Sequence, residues 1–217
     1  VMQIPELAEE KTEDNLGVDA ILWIGGVGNS GAMAVGKILT GEVNPSGKTV
    51  DTWEKDFSQG PTWTNFGTQS QNIDSNGARM DAAIYDTDGA DSGFRTVEYR
   101  EGIYMGYRYY ETVYADAAEP EKDAAYSNVL YPFGYGLSYT TFDWKISEET
   151  PEYDVIDAPN QVLTFNIDVT NTGDTAGKDV VELYAMTPYT PGGIEKAAKV
   201  LVGFAKTDLL QPGETQS

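Results

Sequence analysis

The sequence predicts an α/β segment followed by an all-β immunoglobulin-like sandwich. Three observations carry that expectation. Ala20-Ile21-Leu22-Trp23-Ile24 is a continuous apolar run, the pattern of a strand buried on both faces in a parallel sheet under helices. A glycine-rich loop, a helical segment and a second short strand follow it, so the unit reads strand, loop, helix, turn, strand. Near residue 145 the period changes, and from there strand follows strand.

The elements follow in order. Pro5, acidic Glu6, Glu9 and Glu10, and Gly17 suit the start, first turn and end of a short opening helix. After the Ala20–Ile24 strand, Gly25-Gly26-Val27-Gly28-Asn29 forms a loop. Ser30 suits the N-cap of a helix running from Gly31 to Thr40, and Gly41 suits its end. Asn44-Pro45-Ser46-Gly47 reads as a turn, and Thr49 to Trp53 as a further strand. An insertion loop occupies about 54–97. A connection of that length is commonly a functional or mobile loop. The stretch Tyr99 to Tyr110 fits neither a clean helix nor a clean strand.

Beyond Thr141 the alternation is plain. Phe142, Trp144 and Ile146 share one side of a strand. Leu163, Phe165, Ile167 and Val169 alternate with Thr164, Asn166, Asp168 and Thr170. Asn171-Thr172-Gly173 turns the chain. Asp179 to Ala185 and Val200 to Ala205 are further strands, and Gln211-Pro212-Gly213-Glu214 is a turn. Short strands at this spacing suggest an immunoglobulin-like sandwich. We therefore divide the chain into an α/β part, 1–143, and a β part, 144–217.

Composition excludes several chemistries. The chain has no His and no Cys. Histidine bases, catalytic triads built on histidine, thiolate nucleophiles, disulfides and thiolate zinc sites are therefore absent from it. Carboxylate, hydroxyl, tyrosine, arginine and backbone chemistry remains, the set that carbohydrate enzymes use. The formal net charge of -21 repels nucleic-acid phosphates and anionic lipids, so neither is an expected partner. No apolar run approaches the ~20 residues of a membrane helix. The missing cysteines fit a cytosolic or a secreted bacterial protein alike. Val1 is not an initiator Met, so the chain reads as an internal piece of something longer.

Two motifs invite cofactor readings. Gly26-x-Gly28-x-x-Gly31 sits between strand and helix, with Asp51 20 residues further on, which fits a dinucleotide fingerprint. Against it, Asp51 falls inside the next strand, whereas a ribose-binding acid caps one. The remaining α/β residues also do not continue as βαβ units. Asp86-x-Asp88-x-x-Asp91 lacks the calcium-loop spacing and its terminal Glu. No cofactor and no metal is expected. Trp63 and Phe66 either offer a flat apolar face to a sugar ring or anchor the insertion to the body. Tyr104 and Arg108 belong to a tyrosine-rich belt at a domain boundary or stand beside a sugar, and Glu101 pairs with Arg108 or neutralises polar groups beneath the tyrosines.

Several stretches, in order, resemble glycoside hydrolase family 3, the β-glucosidases, β-xylosidases and related exo-acting enzymes. They are Asp19-Ala20-Ile21-Leu22, the glycine loop, and Gly41-Glu42-Val43-Asn44-Pro45-Ser46-Gly47-Lys48. Tyr99-Arg100-Glu101-Gly102-Ile103-Tyr104-Met105-Gly106-Tyr107-Arg108-Tyr109-Tyr110 and Tyr131-Pro132-Phe133-Gly134-Tyr135-Gly136-Leu137-Ser138-Tyr139 continue the resemblance. So do Val169–Gly173, Val180–Tyr184, Leu201–Phe204 and Leu210–Glu214, which are similar to the family's fibronectin type III-like domain. Asn29-Ser30 stand where the family commonly has Gln-Glu.

The resemblance implies a partial α/β-sandwich domain followed by a fibronectin type III-like domain truncated at its C-terminal end. It implies part of a retaining exo-acting β-glycosidase acting on terminal β-linked sugars, with a missing (β/α)8 barrel of the same enzyme as partner. The nucleophilic Asp belongs to that barrel, and the acid/base Glu falls before Val1. The chain alone is therefore expected to be inactive. Gly26, Gly28, Asn29 and Ser30 are expected to wall the substrate site, at the carboxyl end of the Ala20–Ile24 strand. A non-catalytic carbohydrate-binding or scaffold module is the alternative, and a nucleotide-dependent oxidoreductase the remote one.

Overall fold

The structure is a computed structural model and describes residues 18–63, 99, 101–152, 161–188 and 192–217. In chain order the elements are α1 (Gly28–Leu39), β1 (Trp53–Glu54), a 3-10 turn (Phe57–Gln59), α2 (Tyr107–Asp116), α3 (Lys122–Ala125) and β2 (Val129–Tyr131). There follow β3 (Phe142–Ile146), β4 (Ile167–Asn171), β5 (Val180–Ala185), β6 (Val200–Lys206) and β7 (Thr215–Gln216). The fold mixes helices with sheets, and every pairing with a defined register is antiparallel. The residues fall into two compact units.

The first unit draws its described residues from 18–20, 49–134 and 184–200. β1 pairs with β2, Trp53 opposite Tyr131, and the two rings meet edge to face at 6.2 Å. α2 begins at Gly106, whose φ of 52° an L side chain rarely adopts. It ends at Ala117, where the backbone turns extended three residues before Pro120. α2 buries Tyr110, and Tyr107 packs on Phe133 and Tyr184 at 4.8 and 5.9 Å. The segment ending at β6 is tied to the same helix. Ala198 N donates to Thr112 Oγ1 at 3.0 Å, and Lys199 Nζ stands 2.6 Å from Glu111 Oε2.

The second unit contains α1 and the sheets β3-β4-β7 and β5-β6. β3 runs against β4 in unbroken register from Phe142↔Asn171 to Ile146↔Ile167. Val169 and Leu210 are its buried apolar residues. Asn171 is fully buried and uses both ends of its amide. Its Oδ1 accepts from Thr140 Oγ1 (2.7 Å) and Gly173 N (3.1 Å). Its Nδ2 donates to Thr175 O and Leu210 O, each at 2.9 Å.

Four expectations are corrected. Ala20–Ile24 is not a strand, and Ile21, Leu22, Trp23 and Ile24 are exposed. A strand exists only against a partner, and among the described residues none pairs with this run. The expected strand at Thr49–Trp53 shrinks to Trp53–Glu54, because β2 offers only three residues to pair with. The helix placed at Gly31–Thr40 runs from Gly28 to Leu39, so Ser30 lies inside it and Val27 occupies the N-cap without a side-chain bond. Gly41, at φ 76°, ends it as expected. The strand expected from Leu163 begins at Ile167. The opening helix near Pro5, the Asp86–Asp91 motif and Phe66 lie outside the described residues.

Candidate functional site

The glycine loop and the start of α1 hold four of the anticipated residues. Gly25 and Gly28 have φ of 57° and 61°, the left-handed region. At Gly31 a β-carbon would stand 2.6 Å from Val27 Cβ, so close packing explains that glycine. Gly26 has neither a positive φ nor a neighbour within 4 Å, and an alanine fits there. Glycine is therefore demanded at Gly25, Gly28 and Gly31 but not at Gly26. Asn29 and Ser30 sit in the first turn of α1 and make no cap bond. The remaining residues, Trp63, Tyr104 and Arg108, belong to the first unit. Arg108 lies over the Tyr107 ring, 6.0 Å from guanidinium carbon to centroid.

What the sequence did not single out is how two of its motifs meet. Asn44 Oδ1 accepts from Tyr139 N (2.8 Å) and Ser138 Oγ (3.0 Å), while its Nδ2 donates to Ala176 O (3.1 Å). Gly136 lies against Gly47 O, which a β-carbon at 136 would approach to 2.2 Å. Lys48 Nζ stands 3.0 Å from Asp179 Oδ1 and donates to Gly136 O at 3.0 Å. Buried Asp179 also accepts from the Trp144 indole at 2.9 Å. The Asn44–Lys48 segment and the Tyr135–Tyr139 segment are thus two halves of one lock. Tyr139 completes it by donating to Ile38 O at the end of α1.

The carboxylates of the first unit are similarly engaged. Asp51 Oδ1 accepts from Thr52 N, and Asp56 from Ser58 and Gln59. Glu54 Oε1 accepts from the Tyr110 hydroxyl at 2.8 Å, and that hydroxyl accepts from Asn128 Nδ2 at 3.1 Å. Burial, against the lowering effect of the Tyr110 bond and with Asp51 and Asp56 adding to it, lifts the Glu54 carboxyl above the usual range. Burial together with Glu54 pushes the Tyr110 phenol up as well. A cavity of about 480 Å³ lies in the second unit, walled by Trp144, Phe165, Val169, Val181, Leu183 and Phe204. Its walls come from β3–β4 and β5–β6, and Glu182 is the one acidic side chain there. Apolar side chains of both sheets line it, and Trp144, Phe165 and Phe204 among them are exposed. Polar Lys145, Asn166, Lys206, Thr207 and Gln216 also line it. Among the described residues no group of three acidic side chains could hold a metal ion, and no helix is long and apolar enough to cross a membrane.

The lock joins motifs far apart in sequence. The family model described as the glycosyl hydrolase family 3 C-terminal domain matches residues 2–107. The chain belongs to glycosyl hydrolase family 3. Beta-glucosidase A of Butyrivibrio fibrisolvens is 36% identical over 214 residues, covering 95% of this family 3 chain and 21% of the relative. Thermostable beta-glucosidase B of Acetivibrio thermocellus is 33% identical over 90% of the chain and 20% of its own length. Among solved structures, a beta-glucosidase from Paenibacillus barengoltzii matches with a TM-score of 0.60 at 36% identity, over 86% of this chain and 16% of that one. Beta-glucosidase 3B from Thermotoga neapolitana, solved with glycerol, matches with a TM-score of 0.55 at 32% identity, over 84% and 20%. The chain spans about a fifth of the length of the curated relatives it matches.

Proposed function

We propose that this chain is the non-catalytic portion of a retaining, exo-acting β-glucosidase-like hydrolase, which releases terminal β-linked sugars and whose two catalytic carboxylates lie outside these 217 residues. The observation that carries the reading is the lock between Asn44–Lys48 and Tyr135–Tyr139, found in a chain that matches beta-glucosidases along most of its length. A retaining pair needs two carboxyl groups about 5–5.5 Å apart on either side of the sugar bond. Here Asp51, Glu54 and Asp56 are spent on local amides and on Tyr110. The partner in this reading is a (β/α)8 barrel of the same enzyme, and the ligand a carbohydrate. Residues 1–143 then complete an α/β-sandwich domain in which Ala20–Ile24 gains strand neighbours. Residues 144–217 form the fibronectin type III-like domain.

In that setting Gly26, Gly28, Asn29 and Ser30 wall the mouth of the barrel, while Trp63, Phe66, Tyr104 and Arg108 are the aromatic and cationic groups nearest the sugar. Support for the wall is the left-handed backbone that glycine allows at Gly25 and Gly28, leading into a first turn of α1 whose N-cap bears no side-chain bond. The test is hydrolysis of a 4-nitrophenyl β-glucoside by this chain and by the whole reading frame that contains it. The expected result is turnover by the whole protein and none by the chain alone. Turnover by the purified chain, with contaminating glycosidase excluded, overturns the proposal.

A further inference from the structure

We propose that the seam between β1 and α2 in the first unit is a proton-operated latch, closed when Glu54 is protonated and loosened when it ionises. The geometry of the seam leads there. Glu54 reaches from β1 to the hydroxyl of Tyr110, the buried residue of α2, at 2.8 Å. Asn128, just before β2, donates to the same hydroxyl and also holds β1's flank. Its Nδ2 bonds Asp56 O, its Oδ1 accepts from Asp56 N at 2.9 Å, and its carbonyl accepts from Lys55 N at 2.8 Å. Three elements thus meet at the Tyr110 hydroxyl, which bonds the carboxyl. Gly60 encloses that carboxyl from the remaining side, since a β-carbon at that position would meet both carboxylate oxygens.

Among the described residues, the charges that act on this carboxyl are of its own sign. Asp51 and Asp56 flank it on the β1 segment, and both oppose its ionisation. From α2 the Tyr110 hydroxyl reaches it, while Arg108 of that helix lies over the Tyr107 ring. Lys55 turns its ammonium to Ser127 O at 2.7 Å. Among the described residues no cation forms an ion pair with Glu54. A half-buried carboxylate with two like charges beside it and no cation opposite is costly when ionised. A protonated carboxyl still offers its carbonyl oxygen to Tyr110, so the bond survives protonation while the repulsion does not.

The direction of the pH dependence follows from linkage. Glu54 in the folded chain binds its proton more tightly than the ordinary value of 4.5. The folded seam therefore holds more protons than the opened one. Its stability is greatest in acid and falls as pH rises from about the ordinary value through the folded one. Each unit between the two values is a tenfold change in the opening equilibrium. This is opposite to the common salt-bridged carboxylate, which loses stability in acid.

Hydrogen exchange of the chain across pH 4.5 to neutrality tests the latch, read as protection factors normalised to intrinsic rates. The reporters are the Lys55 and Asp56 amides, with the Asn171 and Gly177 amides of the second unit as reference. In the wild type, protection at the seam should fall with rising pH while the reference amides hold. In Glu54→Gln, which keeps an acceptor for Tyr110, the seam should stay protected and lose its pH dependence. The same slope in Glu54→Gln as in wild type overturns the latch, and so does an equal slope at the reference amides, which would make general acidic repulsion the cause. Should Glu54→Gln not fold, the carboxyl carbon of Glu54 is titrated by NMR in the wild-type chain. A midpoint above the ordinary glutamate value supports the latch, and one at or below it overturns it.

Discussion

Replacing Asn171 by Ala should cost the second unit about 4 kcal/mol. Asn171 is fully buried and makes four hydrogen bonds, two through Oδ1 and two through Nδ2. Each bond contributes about 1 kcal/mol net. Alanine removes all four and strands the Gly173 N–H, the Thr140 hydroxyl and the Thr175 carbonyl, while the Leu210 carbonyl keeps its bond from Gly177 N. A buried group left unmatched costs about 1–3 kcal/mol, and water entering the vacated space offsets part of that. The chain's total stability lies within about 5–15 kcal/mol for a domain, so the loss is a large share of it. Urea unfolding followed by tryptophan fluorescence reads the effect, because Trp144 sits on β3, the strand that pairs with Asn171's own strand β4. The midpoint should fall with little change in the slope. Thr172→Ala is the control: Thr172 is exposed and its hydroxyl meets only Thr141 Oγ1, so it should cost under about 0.5 kcal/mol. A loss at Asn171→Ala no larger than the control's refutes the reasoning that this amide holds the turn and the Gly177–Leu210 bridge together.

Two further outcomes are expected. Thr52 Oγ1 is buried without a partner, so Thr52→Val should leave the urea midpoint unchanged or raise it by the equivalent of about 1 kcal/mol, and a clear loss would expose a partner for that hydroxyl. In the glycine loop, Gly28→Ala should destabilise by about 1–2 kcal/mol because of its positive φ, whereas Gly26→Ala should be silent; thermal unfolding of the two variants side by side checks this, and equal effects count against it.

Much of the second unit was legible because its signals are local. Phe142–Ile146, Val180–Ala185 and Val200–Lys206 are strands close to where the sequence put them, because short runs rich in β-branched and aromatic residues bounded by turn residues report strands directly. Gly41 and Gly213 mark a helix end and a turn through positive φ, a need that few other residues meet. Ala20–Ile24 misled because an apolar run states only that it must be covered, and the cover is absent from the described residues. Ser30 misled because a good capping residue within the first turn is indistinguishable in sequence from one at the cap itself.

The lock and the latch were illegible for a different reason. Asn44 and Ser138, or Glu54 and Tyr110, are far apart in sequence and carry no periodic signal. Tyr110 is one of 14 tyrosines, and nothing local marks it as the one α2 buries. The Asn44–Lys48 and Tyr131–Thr140 stretches stood out as wording. The structure supplies the physical reason, in that Asn44 needs the amide of Tyr139 and Gly136 needs to lie against Gly47.

The most direct test of the account is the position of the catalytic nucleophile. A 2-deoxy-2-fluoro-β-glucosyl fluoride traps the glycosyl-enzyme intermediate of a retaining hydrolase, and peptide mass mapping of the whole reading frame then locates the label. The account predicts a labelled Asp outside residues 1–217, with every carboxylate of this segment unmodified. A label on Glu54, Asp51 or any other acid of this segment would contradict it.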